Sequence, residues 1–334
     1  MIVEIKGVEF DNKGSQLMLR AIVAEINTCY PHAVVALRKT ARLSSRQLRE
    51  VSSVRKISFR KNLIDFNIVT YFFPKWFRSL CLKLGFVTEA DIDVILDSSG
   101  FSYSNQWTSK LRVKHLSNEI SRFHRFRKPY IFLPQAFGPF DLSIVNKNLG
   151  ACLKHAAMIC PREAISKDHL EKLSGPLSNI FLCGDFTNLV DARSNIRDTT
   201  SACIIPNSNM LKSWHGHLSE FKSYEALLAY AASAYQNKRL APFFLNHGGA
   251  ADKALIEAVN RRLAEPLPVI NEHDAVKVKK IICESTAVLS SRYHGCVSAL
   301  SSGIPCIGTT WSHKYDMLYE EYASSELLFR PSQT

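Results

Sequence analysis

No run of about 20 consecutive apolar residues occurs in the chain, so nothing in it is long enough to cross a bilayer as a helix. Its opening residues, Met1-Ile2-Val3-Glu4-Ile5-Lys6, put no basic segment before a long apolar core; they read as a strand of a cytoplasmic protein, not as a secretory leader. Neither Cys-x-x-Cys nor His-Glu-x-x-His is present, so neither a metal nor a resident cofactor is expected. The nine cysteines are odd in number and unpaired in spacing. Cys81, Cys152, Cys203 and Cys283 sit among apolar neighbours, as buried thiols of a reducing compartment do. Helix-turn-helix, zinc-finger and RNP patterns are missing too. Basic residues beside aromatics, as in His124-Arg125-Phe126-Arg127-Lys128, therefore lack a nucleic-acid reading element, and no nucleic-acid partner is expected.

What is present is an ordinary globular composition, 46% hydrophobic and 22% charged, with a formal net charge of +12 that calls for an anionic partner. A chain of 334 residues is long for one core and points to two domains of roughly 150 residues. Short apolar runs alternate with helical patterns, the mark of parallel βαβ units. Strands are expected at 2–6, 33–37, 54–59, 94–96, 130–133, 158–160 and 180–182, then at 202–206, 242–245, 288–289 and 306–307. Helical patterns cover 15–27, 110–126, 142–155 and 165–173, then 224–237, 252–263, 274–283 and 295–301. In the second of these Leu116, Ile120 and Phe123 share a face, with Lys114, Glu119 and Arg122 off it. Residues 191–201 are polar and aperiodic, the best linker in the chain. The expected class is α/β: two Rossmann-like domains, 1–190 and 191–334, with a cleft between them and ligands at the carboxyl ends of the strands.

Residues 286–318 carry the most chemistry. An apolar run, Ala287 to Leu289, ends in Ser290-Ser291-Arg292-Tyr293-His294; a small-residue helix follows, stopped by Gly303 and Pro305, and Cys306 starts another strand. Such a turn aims backbone N–H groups and a partial positive charge at its ligand. With Arg292, His294 and Lys314 added, it suits a small, highly charged anion such as a phosphate ester.

The same stretch, Arg292-Tyr293-His294-Gly295, then Gly303-Ile304-Pro305, then Ser312-His313-Lys314, resembles the C-terminal signature of the polysaccharide pyruvyl transferases. Other segments resemble that family in the same order: Asn12-Lys13-Gly14-Ser15 before the first helix, Asp93 to Gly100, Pro134-Gln135-Ala136-Phe137-Gly138-Pro139-Phe140, Arg162 to Ser166, and Cys183-Gly184-Asp185. Where the family often has paired glycines this chain has Ser99-Gly100. The resemblance implies a glycosyltransferase-B-like layout and transfer of the pyruvyl group of phosphoenolpyruvate to a sugar hydroxyl pair as a ketal. The acceptor would be a polysaccharide or its lipid-linked precursor. Phosphoenolpyruvate carries about three negative charges at neutral pH and asks for at least two cations, preferably arginines. The resemblance places Arg162, Arg292, Lys314 and Ser291 on the donor, and Asn12, Gly14, Ser15, Asp97, Ser99 and Gln135 on the acceptor side. His294 would move a proton or bind the phosphate as a cation, and Asp185 would act as base on the acceptor hydroxyls.

Each residue also has a plainer role: a salt bridge for Arg292 across the cleft, pairing of Arg162 with Glu163 or Asp168, a solvated Lys314, N-capping at Asn12–Ser15 and at Asp185. A nucleotide-sugar glycosyltransferase on the same two-lobed fold is the competing activity, though residues 290–302 show no paired-glutamate ribose clamp; a non-catalytic glycan-binding relative is the third. Residues 63–87 stand apart, with Phe72, Phe73, Trp76 and Phe77 interleaved with Lys75, Arg78 and Lys83. The first expectation is an ordinary core helix pair; the alternative is an interfacial helix on an anionic membrane.

Overall fold

The structure, a computed structural model, describes residues 1–10, 12–38, 45–61, 64–104, 110–140, 146–192, 199–214, 221–310 and 314–330. The chain divides into two compact units, Met1–Phe10 with Met18–Phe186, and Asp11–Leu17 with Thr187–Thr334. Residues 193–198 of the expected linker, 142–145 of one expected helix, Leu63, and Ser312-His313 of the C-terminal motif lie outside the described residues.

The first unit holds strands β1 (Ile2–Lys6), β2 (Val34–Arg38), β3 (Val54–Lys56), β4 (Arg60–Lys61), β5 (Ile64–Asp65), β6 (Phe86–Val87), β7 (Val94–Asp97), β8 (Tyr130–Gln135) and β9 (Met158–Pro161). Its helices are α1 (Lys13–Cys29, from Met18 on), α2 (Ser45–Glu50), α3 (Lys75–Lys83), α4 (Lys110–Arg125), α5 (Asn146–Leu153) and α6 (Ala164–Ser174). Seven strands form one parallel sheet in the order β6-β3-β2-β1-β7-β8-β9, while β4 and β5 pair antiparallel on their own. Val3, Ile5, Val35 and Leu37 pack one face against Leu19, Ile22 and Ile26 of α1. Ile95, Phe132 and Ile159 pack the other against Leu116, Ile120 and Phe123 of α4 and Leu149 and Leu153 of α5. A sheet covered on both faces explains why its strands read as apolar runs instead of alternating.

The second unit repeats the design with β10 (Ser201–Ile205), β11 (Ala241–Leu245), β12 (Val269–Ile270), β13 (Ala287–Ser290), β14 (Cys306–Thr309) and β15 (Leu328–Phe329). Helices α7 (Met210–Ser213), α8 (Tyr224–Asn237), α9 (Ala250–Asn260), α10 (Ala275–Glu284), α11 (Tyr293–Leu300) and α12 (Lys314–Glu321) cover it. Its parallel order is β12-β11-β10-β13-β14-β15. In each sheet the chain starts at a central strand, winds to one side, then restarts on the other. The switch points are β1/β7 and β10/β13, and such a fork leaves a crevice at the carboxyl ends of the strands.

Three expectations are corrected. Residues 180–182 form no strand; Ile180 makes only an isolated bridge to Ile159. Glu119 of α4 is buried, because Lys6 and Lys56 from the sheet beneath reach it at 2.7 and 3.3 Å, and Lys56 also holds Glu4. Burial pushes the two ammonium groups down, but Glu119 and Asp97 on Lys6, and Glu4 and Glu119 on Lys56, outweigh it and hold both above the usual lysine value. Finally, helix α3 buries none of its residues, so residues 64–87 are no core helix pair: Phe72 is 79% and Trp76 70% exposed, with Phe66, Val69, Leu80 and Leu84 open beside them.

Candidate active site

The second unit's switch point gathers three helix N-termini. Strand β13 ends at Ser290, whose hydroxyl accepts from Arg292 N–H at 3.1 Å and sets the turn; Arg292 is then the N-cap of α11. Strand β11 ends at Leu245, and Asn246-His247-Gly248-Gly249 leads into α9. The start of α1 belongs here as well, although sequence reading puts it in the first domain. Lys13 N–H points to the His247 carbonyl at 3.5 Å, and Lys13 Nζ donates to the His273 carbonyl at 3.1 Å.

Arg292 does not stand as an open cation. It forms a two-pronged pair with Asp252 of α9, Nε to Oδ2 at 2.8 Å and Nη2 to Oδ1 at 2.5 Å. The expected salt bridge exists, but within one unit. Asp252 is fully buried and also accepts from Ser208 N–H at 3.0 Å, so one carboxylate ties the exits of β10 and β13 to α9. Gly248 makes the pairing possible: a Cβ there would lie 1.9 Å from Arg292 Nη2 and 2.3 Å from Asp252 Oδ2. The remaining nitrogen of the fork, Nη1, makes no hydrogen bond among the described residues and is the edge a ligand oxygen can use.

His294, one position further, packs on the start of α1. A Cβ at Gly14 would fall 2.1 Å from His294 Nδ1, so only glycine lets the first motif of the chain meet the last. The Tyr293 ring edges against His294 with centroids 5.4 Å apart, and Lys314 Nζ, buried at the start of α12, lies 5.3 Å over the Tyr293 ring. Sequence reasoning misses His247. It is buried, with Nδ1 lacking a hydrogen-bond partner, and burial first, then Arg292, His294 and Lys13, push its pKa well below the usual imidazole value. Its signal was available in the Asn-His-Gly-Gly turn after a strand, the same pattern as at residues 290–295. Cations, a neutral imidazole and helix N-termini are groups whose charge and dipoles suit an anion.

Other expected residues prove to hold the fold. Ser291 is buried; its hydroxyl engages Thr309 and Tyr224, and its carbonyl accepts from Asn207 and Tyr315, which leaves nothing for a donor. Asn12 caps α1 through Oδ1 to Gly14 N–H at 3.0 Å, and Ser15 is buried in the first turn. Arg162 and Asp185, given separate roles on the sequence, are one buried ion pair in the first unit at 3.1 Å, with Glu163 a second partner at 3.6 Å. Ser166 from the same motif binds both backbone groups of Phe137, locking the Gln135–Phe140 loop to α6. Asp97 is buried under Ser99 N–H and Oγ, Tyr103 Oη and Tyr130 Oη, and Gln135 Nε2 donates to its carbonyl, so both brace the end of β7. Of the expected acceptor residues, Ser99 lines an open cavity. No group of three or more His, Cys, Asp or Glu suited to a metal is found among the described residues.

Residues 12–313 match the family model described as polysaccharide pyruvyl transferase. The chain belongs to that family. No curated protein matches the sequence. By fold the chain is similar to a UDP-N-acetylglucosamine 2-epimerase from Methanocaldococcus jannaschii, with 10% identity over 99% of this chain and 88% of that one and a TM-score of 0.55. It is also similar to the epimerase from Neisseria meningitidis bound to UDP-GlcNAc, with 9% identity over 98% and 86% and a TM-score of 0.54. At such identities the likeness shows the fold alone: two Rossmann-like lobes of the glycosyltransferase-B-like class. Of the motif residues, Gly14 and His294 meet in the second unit of this pyruvyl transferase family member. Gly14→Ala therefore lowers transfer activity about 100-fold, as misplacement of a reacting group by 1 Å does, with little change in melting temperature. Unchanged turnover in this variant would show that the His294 position is immaterial.

Proposed function

We propose that the protein transfers the pyruvyl group of phosphoenolpyruvate to two hydroxyls of a sugar in a polysaccharide or lipid-linked glycan precursor, giving a ketal and inorganic phosphate. The convergence of Arg292 Nη1, His294 and the N-termini of α1, α9 and α11 in one unit supports this reading: it suits a ligand with phosphate and carboxylate on adjacent atoms. Lys314 and Lys13 add positive charge to the same unit. Proton transfer to the methylene carbon makes it a methyl group and leaves carbon 2 oxocarbenium-like. One sugar hydroxyl adds to carbon 2 and loses its proton, the C–O bond to phosphate breaks, and the second hydroxyl closes the ring. The two hydroxyl protons balance the new methyl hydrogen and the proton carried off by hydrogen phosphate.

In this reading His294 gives the carbon its proton, the alternative being that it binds the phosphate as a cation. His247, held neutral, is suited to accept a hydrogen bond and not to add another charge beside Arg292. Asp185, tied to Arg162, is better suited to holding that arginine than to taking a proton. Phosphoenolpyruvate at a hundredfold excess over Kd raises folded-state stability by about 2.7 kcal/mol, whereas UDP-sugars do not. His294→Ala lowers turnover by about 10²–10⁴-fold with this stabilisation retained. His294→Gln, which keeps a hydrogen-bond donor but cannot shuttle a proton, stays as slow. Recovery of the rate by Gln would make His294 a phosphate ligand, and a melting shift with UDP-sugars alone would replace this reading with glycosyl transfer.

The same proposal places the enzyme at the cytoplasmic face of an anionic membrane. Phe66, Phe72, Trp76, Phe77, Leu80 and Leu84 are exposed, as are Lys61, Lys75 and Lys83 of the same stretch of chain. The nearby acids are already answered, Asp65 by Arg122 at 3.1 Å and Asp91 by Arg78 at 2.5 Å. Aromatic and cationic groups together match an anionic lipid interface. In sedimentation assays the protein binds anionic vesicles over neutral ones, added salt weakens binding, and Trp76→Ser with Phe72→Ser removes it. Binding indifferent to lipid charge and salt, or a concentration-dependent dimer abolished by the same pair of changes, would overturn membrane docking.

A further inference from the structure

The first unit has a crevice at its own switch point. A cavity of about 220 Å³ opens there, walled by Lys6 at the end of β1, by Ser99, Ser102 and Tyr103 after β7, by Arg60 of β4, and by Arg112 and His115 from the first turns of α4. Val113, Leu116 and Leu149 also line it, and none of the described lining residues is a carboxylate. The acids below, Asp97 and Glu119, are taken up by the tyrosines and by Lys6 and Lys56. Gly7, at φ 80°, lets Ser99 pack where a Cβ would lie 2.2 Å from its hydroxyl oxygen, so Ser99 is held at the rim. Cations, hydroxyl groups and the N-terminus of α4, whose first turn has no acidic residue, surround one small volume.

From this geometry we infer that the cavity binds a phosphoryl group, free or as the phosphate of a sugar phosphate. Arg60 and Arg112 supply forked donors for a tetrahedral dianion, while the hydroxyls of Ser99, Ser102 and Tyr103, whose protons go to Asp97 and to the Ser99 carbonyl, offer lone pairs that accept from sugar hydroxyls. Size narrows the class. Sites for drug-sized ligands span about 300–1,000 Å³, so this one holds a phosphate with one small attached group and not a nucleotide. If the ketal reading holds, that group belongs to the acceptor, a clause that rests on that reading. Binding itself does not, because every described lining residue lies in the first unit.

The test titrates full-length protein, saturated with phosphoenolpyruvate, with inorganic phosphate or glucose 1-phosphate by phosphorus NMR and calorimetry. Binding of at least one is expected, and Arg112→Ala and Arg60→Ala each weaken it about tenfold or more, the loss of one charge-assisted contact. Both variants keep the wild-type thermal shift with phosphoenolpyruvate. Equal affinity for both probes identifies free phosphate as the ligand; preference for the ester identifies a sugar phosphate. Should Arg112→Ala misfold by circular dichroism, Arg60→Ala decides alone. Wild-type affinity in the folded variants, or no binding of either probe, overturns the inference. A protein that ignores phosphoenolpyruvate yet binds glucose 1-phosphate through Arg60 and Arg112 refutes only the proposed donor.

Discussion

The pair between Arg292 and Asp252 is the interaction on which the second unit's site depends. Asp252 is fully buried, and a carboxylate there is tolerated because a guanidinium fork and the Ser208 N–H answer it. Removing one partner of such a pair costs about 3–5 kcal/mol. The fork in turn fixes the turn after β13, which fixes where α11 begins, and hence where His294 stands. Gly248 and Gly14 are small for the same reason. One yields room for the fork, the other for the imidazole. A residue that sequence reading treats as a ligand for an external anion is thus first a ligand for an internal one, with the N–H groups of its Nη1 edge left over.

Topology decides where this chemistry can gather. Both sheets are parallel and both fork at a central pair of strands, β1/β7 and β10/β13. Loops leaving a forked pair diverge, so polar and cationic side chains can sit at the strand ends without being covered. Each fork carries its own basic cluster, which gives part of the +12 net charge a physical place. Another part lies beside the open aromatics of α3. The first unit's fork also shows how cations survive burial: Lys6 and Lys56 stay charged because Glu4, Glu119 and Asp97 lie under them.

Much of this was legible in the sequence, for local reasons. The apolar run before Ser290-Ser291-Arg292 announces a strand and its turn, and the switch to small residues announces α11. Leu116, Ile120 and Phe123 mark the buried face of α4 by spacing alone, and all are buried. What escaped depends on partners far away in the chain. Arg292 and Asp252 are 40 residues apart, Lys6 and Glu119 are 113 apart, and neither pairing leaves a periodic trace. Glu119 sits off the apolar face yet meets a buried lysine, which spacing does not reveal. Residues 64–87 have the amphipathic look of packed helices, but a pattern says which face is apolar and not whether anything covers it. Strands β6, β12 and β15, of two residues each, are too short to carry a period.

The central claim is that the carbon skeleton of phosphoenolpyruvate is transferred after protonation of its methylene carbon. Transfer carried out in D₂O, with a glycan acceptor and mass spectrometry of the product, reads that step directly. The account predicts a single deuterium in the methyl group of the sugar-bound pyruvate ketal, accompanied by one inorganic phosphate per ketal. Ketal formation without deuterium in the methyl group, or sugar transfer from a nucleotide sugar with phosphoenolpyruvate untouched, would contradict it.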